Sequence, residues 1–293
     1  MMTIVSYSIE GRRDYGFVID KSELIPRYFV EDILKERLPR DLKRFLVDSE
    51  LVDLVKASLE SVRVETIPLS SVHLEPPIKN PGKIVRMALN YIDHVEELGA
   101  SPPEEIVFFL KPSTSLVGPM DPIVKPKIVK KLDYEGELAV VIGIKAKDLE
   151  PDEAYFHVFG YTVLNDVTAR DFQFRDGLWR GWTMSKCFDT FAPLGPWIVS
   201  RDEIEDPHNL RIITKVNKEI RQNSNTSRMI FKIPEIISYV SQIMTLEPGD
   251  IIATGTPAGV GHVREEWLLK EGDIVEVWIE NIKAIRNQVL KTD

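Results

Sequence analysis

The sequence predicts a mainly β protein of the α+β class, with a small N-terminal domain before a larger one. Short runs rich in Val and Ile recur along the chain, and turns drawn from 19 Pro and 16 Gly separate them. Only a few segments place apolar residues at helical spacing. At 293 residues the chain is long enough for one large and one small domain.

Residues 1–75 are predicted to form the small α+β domain. Two strands and one charged amphipathic helix are expected there, at Thr3–Ile9, Tyr15–Val18 and Val30–Ala57. We place the boundary at Leu74–Gly82, because its three prolines and one glycine cannot continue a helix or a central strand. Residues 76–293 then form the larger domain.

The larger domain is predicted to contain eight short strands and two helices. The strands are expected at Ile84–Ala88, Val107–Leu110, Glu137–Gly143, Phe156–Leu164, Trp197–Ser200, Leu210–Val216, Ile251–Thr254 and Ile274–Ile279. The helices are expected at Val167–Arg175 and at Ile233–Met244, where Pro234 falls in the first turn.

The composition excludes several kinds of protein. The single cysteine, Cys187, permits neither an internal disulfide nor a cysteine-rich metal site, and we expect it to be a small buried hydrophobe. A formal charge of −9 argues against nucleic acid as the main partner, since phosphate binding needs a basic surface. The chain lacks an apolar run of the roughly 18 residues that a membrane span needs, and its N-terminus lacks a basic region followed by an apolar stretch. We therefore expect a soluble, cytoplasmic protein.

Two carboxylates stand one residue apart at the start of an apolar run. Glu135 and Glu137 lie within Asp133–Gly143, and in a strand residues i and i+2 share a face. Carboxylates on one buried face repel each other unless they share a proton, an Arg or Lys partner, or a hard divalent cation. A solvated strand end with two ordinary acids is the alternative at this point.

Asp166 follows the predicted strand that ends at Leu164 and offers a third oxygen ligand. Three carboxylates suit Mg²⁺, Mn²⁺ or Ca²⁺ far better than Zn²⁺. The five histidines show no zinc-binding spacing, so a zinc centre is not expected. Taken alone, however, an Asp just before a predicted helix is most often its N-cap.

Three further side chains are candidates for the site, and two of them, Arg170 and Gln173, could contact an anionic substrate. Arg170 and Gln173 share a face of the predicted helix, although surface ion pairs of Arg170 with Asp171 or Asp176 explain the spacing slightly better. Lys186 is flanked by apolar residues. It either extends toward solvent or supplies positive charge to a buried acidic site.

Two other motifs are candidates for proton transfer and anion binding. His94 and Glu97 stand three residues apart, so one helical turn would place the carboxylate beside the imidazole and raise its basicity. Such pairs are also common on helix surfaces. The turn Ala253–Gly261 holds three glycines and two threonines, and it either binds an anion through its backbone N–H groups or is a tight structural turn.

Taken in order, these segments resemble the fumarylacetoacetate hydrolase family, in particular its acylpyruvase and 2-hydroxyhepta-2,4-diene-1,7-dioate isomerase branch. The resemblance runs from about residue 80 to residue 280 and rests on Asn90-Tyr91 with His94 and Glu97, Lys111-Pro112, Asp133-Tyr134-Glu135-Gly136-Glu137-Leu138, Gly160-Tyr161, Asn165-Asp166, Arg170-Asp171 with Gln173, Lys186 with Phe188-Asp189-Thr190, Gly195-Pro196 and Thr254-Gly255-Thr256-Pro257. It implies a mixed β-sandwich roll that assembles as a homodimer.

The resemblance also implies a role for each candidate residue. Mg²⁺ or Mn²⁺ would be held by Glu135, Glu137 and Asp166, and would chelate a 2-oxo acid or 1,3-diketone. Lys186 would support the enolate. The substrate pocket would be lined by Tyr91, Arg170, Gln173 and Thr256, with Thr256 binding the substrate carboxylate. Water would be activated by His94 and Glu97 on a mobile lid.

The implied reaction is hydrolysis of a C–C bond in an acylpyruvate or fumarylpyruvate type of substrate, because His94 and Glu97 are both present. The same core also supports decarboxylation or isomerisation of 2-hydroxy-dienedioates in aromatic catabolism. A sugar-acid dehydratase and a noncatalytic metal-dependent binding protein are further alternatives. One departure concerns the C-terminal hairpin, where the family often has a Gly-x-Gly turn. Asn281 can adopt the left-handed conformation there, whereas Lys283 suggests a different hairpin.

Overall fold

The computed structural model describes residues 2–20, 22–61, 65–174 and 181–292. Strands β1–β5 lie at Thr3–Ile9, Arg12–Val18, Glu23–Pro26, Ile67–Pro68 and His73–Leu74. Strands β6–β12 lie at Ile84–Ala88, Val107–Lys111, Leu116–Val117, Ile123–Lys125, Leu132–Asp133, Gly136–Ile142 and Val158–Asn165. Strands β13–β19 lie at Thr168–Ala169, Ala192–Ser200, Arg211–Val216, Glu219–Asn225, Ile251–Ala253, Ile274–Ile279 and Lys283–Lys291. Helices α1–α8 lie at Arg27–Leu34, Leu42–Val47, Ser49–Ser61, Ile92–Glu97, Pro151–Ala154, Arg170–Gln173, Trp182–Lys186 and Ile233–Ile243.

Two larger sheets and one short ribbon organise these strands. The 12-stranded sheet has the order β4-β3-β2-β1-β14-β12-β11-β17-β6-β7, with β5 beside β1 and β8 beside β14. The 5-stranded sheet has the order β16-β15-β18-β19-β9, and β10 pairs with β13. Strands β11 and β12 of the large sheet pack against β18 of the smaller one. The predicted mixed α+β class is therefore confirmed.

Strand β11 is buried on both faces. Leu138 and Val140 belong to the apolar core that also contains Val277 of β18. Ala139 and Val141, which point the other way, belong to a second core. A strand covered on both faces has an unbroken apolar sequence instead of an alternating one. This explains the apolar run that follows Glu135 and Glu137.

The eight strands predicted for the larger domain all exist, with ends that differ by a few residues. The largest difference is in β14, which begins five residues before the predicted start at Trp197 and includes two prolines. The predicted helix Ile233–Met244 is also confirmed, as α8. The short alternating strands of the N-terminal segment are present as β1 and β2.

The predicted continuous helix Val30–Ala57 is wrong, because this stretch is divided among α1, α2 and α3. Helix α1 ends at Leu34, and the C-cap residue Lys35 has a left-handed φ of 56°. Pro39 follows in the connection, where its fixed φ and missing N–H oppose a helix interior. Apolar spacing predicted that the segment is largely helical, but it did not predict the interruptions between α1, α2 and α3.

The predicted helix Val167–Arg175 is confirmed only in part, because Arg170–Gln173 form α6 while the three residues before them are not helical, and Arg175 lies outside the described residues. Thr168 and Ala169 pair with β10. The helix begins only at Arg170, whose N–H donates to the carbonyl of Lys131 at 2.8 Å. Pairing with a distant strand therefore overrides the local helical pattern.

Four other expectations from the sequence can be compared with the structure. The division at residue 75 stays a prediction, and β1 joins the large sheet directly through β14. Cys187 is only partly buried. In the hairpin between β18 and β19, Asn281 has the left-handed φ of 63° and Lys283 has a φ of 141°. Within the described residues, no helix has both the length and the apolar composition needed to cross a bilayer.

The start of α8 depends on a neutral histidine. The N–H of Ile233 donates to Nε2 of His208 at 3.1 Å, and burial, then Lys232, lowers the pKa of His208 below its ordinary 6.5. The unfolded ring therefore binds a proton at a higher pH than the folded ring, so this group lowers the stability as pH falls below about 6.5. We expect His208→Gln, which keeps an acceptor, to show a smaller loss of unfolding free energy between about pH 7 and pH 5. Denaturant titrations at both pH values test this, and equal losses in the two proteins would contradict it.

Candidate active site

The three carboxylates predicted as metal ligands meet at one end of the large sheet. Glu135 immediately precedes β11, Glu137 is the second residue of that strand, and Asp166 follows β12. One oxygen from each lies within 4.8 Å of the others, and all three side chains are buried. The N–H of Asp166 donates to the carbonyl oxygen of Glu135 at 2.7 Å, which holds the two segments together. We call these three residues the carboxylate triad.

Three buried cations surround Asp166. Lys111 Nζ lies 2.5 Å from Oδ1, and an Arg86 terminal nitrogen lies 2.6 Å from Oδ2, which Lys186 also contacts. Burial opposes ionisation of Asp166, but Arg86, Lys111 and Lys186 together outweigh it and hold its pKa well below the ordinary value. The carboxylate of Asp166 is therefore paired with cations. Helix capping is not required to explain why an Asp stands at this position.

The two glutamates of the triad have opposite pKa shifts. Burial raises the pKa of Glu137 to about 7, because Arg86 compensates only in part. Burial also opposes ionisation of Glu135, but Lys186 and Arg170 outweigh it and its pKa lies below 4.5. Lys186 Nζ is 2.5 Å from Glu135, and Arg170 is 2.7 Å away on the other oxygen. Lys186 is therefore a buried partner of the acids, not a chain extended toward solvent.

Arg170 joins the triad to the neighbouring wall of the site. Its Nε donates to Asp133 at 2.7 Å, and another nitrogen donates to Oε1 of Gln173 at 2.7 Å. Arg170 is buried, so the surface ion pair with Asp171 is wrong. The alternative partner Asp176 lies outside the described residues.

The glycine-rich turn after β17 binds carboxylates of the protein itself. The N–H groups of Gly255, Gly259 and Gly261 donate to Glu137, Glu97 and Asp133, at 2.8, 2.9 and 2.7 Å respectively. Gly259 has a φ of +103°, and a Cβ there would lie 2.0 Å from the carbonyl oxygen of Arg221. The turn is therefore both a tight structural turn and an anion-binding one, and it positions three acidic side chains.

His94 and Glu97 form the predicted pair on α4. Nδ1 of His94 lies 3.4 Å from Oε2 of Glu97, and the ring is buried. Both carboxylate oxygens of Glu97 accept from the N–H of Gly259, at 2.9 and 3.0 Å. The carboxylate is thus fixed by the backbone of the glycine-rich turn, which orients the imidazole.

One cavity brings most of the predicted site residues together. Its wall includes Glu135, His94, Lys186, Arg170, Gln173 and Thr256. Tyr91, by contrast, is fully buried, and its pKa is raised by that burial and by Glu137. The hydroxyl of Thr256 donates to the carbonyl of Gly136 at 2.9 Å and accepts from Gln222 at 2.8 Å. Its hydrogen is therefore already used within the protein.

A match to a family profile identifies the protein family of the chain. The profile described as fumarylacetoacetate (FAA) hydrolase C-terminal matches residues 83–290, which contain every candidate site residue. The chain belongs to the fumarylacetoacetate hydrolase family. Its mixed α+β fold is that of the family, as the resemblance implied.

Similar proteins in the fumarylacetoacetate hydrolase family differ in the reaction they are named for. Oxaloacetate tautomerase Fahd2a, mitochondrial, of Rattus norvegicus is 44% identical over 254 residues, which cover 86% of this chain and 80% of the relative. The maleylpyruvate hydrolase of Sphingobium sp. SYK-6, solved with manganese(II) and pyruvate, is 31% identical with a TM-score of 0.80 and 100% coverage of both chains. A 2-hydroxyhepta-2,4-diene-1,7-dioate isomerase of Mycobacterium marinum is 32% identical with a TM-score of 0.77, covering 100% of this chain and 99% of its own.

The donor set of this family member fits a hard divalent cation. Its three ligands are buried carboxylates with oxygen atoms close enough to share one ion, and oxygen is the ligand that Mg²⁺, Mn²⁺ and Ca²⁺ prefer. Sulfur and imidazole ligands, which favour zinc, do not contribute to this cluster. The chemistry of the ligands does not distinguish Mg²⁺ from Mn²⁺.

Sequence reasoning assigned no role to several polar residues of the site, Arg86 and Gln222 among them. Arg86 lies in β6 and is fully buried beside Glu137 and Asp166. A lone arginine within an apolar strand was the available signal. Gln222 accepts from the N–H of Gly136 at 2.9 Å and donates to Thr256. Its place in an exposed, polar strand gave no signal.

Proposed function

We propose that the protein is a divalent-metal-dependent enzyme that acts on a small 2-oxo acid through its enolate, and that oxaloacetate tautomerisation is its reaction. One observation carries the chemistry. The carboxylate triad meets a buried lysine, Lys186, and Glu135 and Lys186 open onto the same cavity as His94. This arrangement combines a cation site, a fixed positive charge and an ionisable imidazole.

The charges of the site suit an enolate. A Mg²⁺ or Mn²⁺ ion held by the carboxylate triad would polarise the 2-oxo group as a Lewis acid. The ammonium of Lys186 would stabilise the negative charge that develops on the substrate oxygen. Arg170 donates to the amide oxygen of Gln173, which leaves the NH2 group of Gln173 as a donor for a substrate carboxylate.

His94 is the proposed proton carrier. Its ring lines the cavity, and the contact with Glu97 orients it. Neutral His94 would take a proton from the carbon next to the carbonyl, and His94 in its charged form would return that proton to oxygen. This exchange interconverts the keto and enol forms and needs no water. The 44% identity to an oxaloacetate tautomerase supports this choice of reaction.

Hydrolysis of a C–C bond in an acylpyruvate type of substrate is the second candidate. The His94–Glu97 pair favours it, since the same base can deprotonate a water beside the distal carbonyl. The similarity to a maleylpyruvate hydrolase supports it as well. Decarboxylation and dienedioate isomerisation would use the same core. Assembly as a homodimer stays a prediction.

A substrate screen tests the proposed function. Chelator-treated protein is assayed with and without Mg²⁺ or Mn²⁺ against oxaloacetate, acylpyruvates and dienedioates, and each ion is also tested without protein. We expect metal-dependent enol formation from oxaloacetate above the rate with the ion alone. Faster cleavage of an acylpyruvate would support the second candidate. Turnover of none of these substrates would contradict both and support a noncatalytic binding protein.

A further inference from the structure

Arg86 places a buried guanidinium against two residues of the carboxylate triad. Its side chain is 0% exposed, and one terminal nitrogen contacts Glu137 and lies 2.6 Å from Oδ2 of Asp166. A single nitrogen thus contacts two of the three acids that are proposed to hold the metal. A divalent ion between those acids would lie next to a fixed positive charge.

With all eight of its buried charged groups ionised, the site carries no net formal charge before any ion is added. Its four buried acids are Asp133, Glu135, Glu137 and Asp166, and its four buried bases are Arg86, Lys111, Arg170 and Lys186. Every oxygen of the carboxylate triad already contacts a cation or the N–H of Gly255. A divalent ion must therefore displace a donor and leave a net positive charge.

Arg86 is the least firmly held of these bases. Its Nε and its other terminal nitrogen are buried, and among the described residues neither has a hydrogen-bond partner. Lys111 also donates to the carbonyl oxygens of Val167 and Phe191, and Arg170 is bound by three neighbours. A buried donor without an acceptor is unfavourable, so Arg86 loses the least when it moves.

We propose that Arg86 is an internal counter-cation of the carboxylate triad, which a divalent ion must displace and which thereby weakens metal binding. The inference rests on one part of the proposed function, namely that the carboxylate triad binds a divalent ion. Arg86 stabilises the acids when no ion is bound, because like charges repel in a buried cluster. It is a positioning residue and not a metal ligand.

Mn²⁺ binding by the full-length protein tests this role. Chelator-treated wild type and Arg86→Met are titrated with MnCl2 by calorimetry, and their melting temperatures are measured with and without Mn²⁺. We expect Arg86→Met to bind Mn²⁺ at least about tenfold more tightly, because a neighbouring positive charge is removed. Its melting temperature should be lower without Mn²⁺ and should rise more on adding the ion.

A control variant distinguishes this effect on Mn²⁺ affinity from the general loss of stability that follows replacement of any buried arginine. Arg27 is also buried and contacts two acids, Asp14 and Glu31, outside the site. Arg27→Met should be less stable but should keep the wild-type Mn²⁺ affinity. If Arg86→Met does not fold, Arg86→Lys replaces it, since its shorter reach weakens the contact with Asp166 and should also tighten Mn²⁺ binding.

The outcomes distinguish this inference from the proposed function. Equal or weaker Mn²⁺ binding by the Arg86 variant overturns the inference and leaves the metal site standing. Tighter binding by Arg27→Met to the same extent also overturns it. Absence of Mn²⁺ binding in the wild type and in the Arg86 variant overturns the proposed metal site, and the inference with it.

Discussion

Replacing Asp166 with Asn should abolish Mn²⁺ binding and reduce kcat/KM by ~10³-fold or more, because it removes a ligand and the partner of three cations at once. It should also destabilise the fold. Leaving buried charges uncompensated typically costs about 3–5 kcal/mol, and here Arg86, Lys111 and Lys186 all lose their shared anion. Calorimetric Mn²⁺ titration, steady-state kinetics and denaturant unfolding measure the three effects.

A buried acid outside the site provides the control for Asp166→Asn. Asp250 is fully buried, lies 2.7 Å from Nζ of Lys83 and accepts two backbone N–H groups. Asp250→Asn should lose stability while keeping Mn²⁺ affinity and turnover. Retention of Mn²⁺ binding by Asp166→Asn would show that the carboxylate triad is not the metal site. Loss of Mn²⁺ binding by Asp250→Asn would show that the effect is general destabilisation.

The strands of the larger domain could be predicted because their signals are local. Runs such as Ile84–Ala88 and Ile274–Ile279 are short, apolar and bounded by turn residues, and both are present with those bounds. The helical segment Val30–Ala57 shows the limit of this reasoning. Its apolar spacing continues through the left-handed residue Lys35, whose conformation has no marker in the sequence.

The candidate site was only partly visible in the sequence. The two-residue period of a strand predicted that Glu135 and Glu137 lie together, and the end of the next strand added Asp166. Arg86 comes from a strand about fifty residues earlier, and nothing local relates it to Glu137. The turn illustrates the same point, since Gly259 binds Glu97 across 162 positions in the chain. Tertiary topology alone creates these contacts.

Replacing His94 with Ala should lower kcat of the reaction that the wild type catalyses by about 10²–10⁴-fold, the usual contribution of a positioned general base. Mn²⁺ affinity should be unchanged, because the ring pairs with Glu97 and not with the carboxylate triad. Glu97→Gln should cause a smaller loss, since it removes the charge that orients the ring. Stopped-flow assays and Mn²⁺ titration measure both quantities.

His262 provides the sharpest control for this assignment, because it is the other imidazole of the same cavity. Its ring stacks on Phe174 with centroids 4.3 Å apart, and burial followed by Arg170 lowers its pKa below 6.5. Because Glu97 lies beside His94, we expect His262→Ala to keep most of the turnover. A large loss in His262→Ala together with wild-type activity in His94→Ala would transfer the role of base to His262. Loss of Mn²⁺ binding in His94→Ala would show instead that the imidazole supports the metal site and that its effect on turnover is indirect.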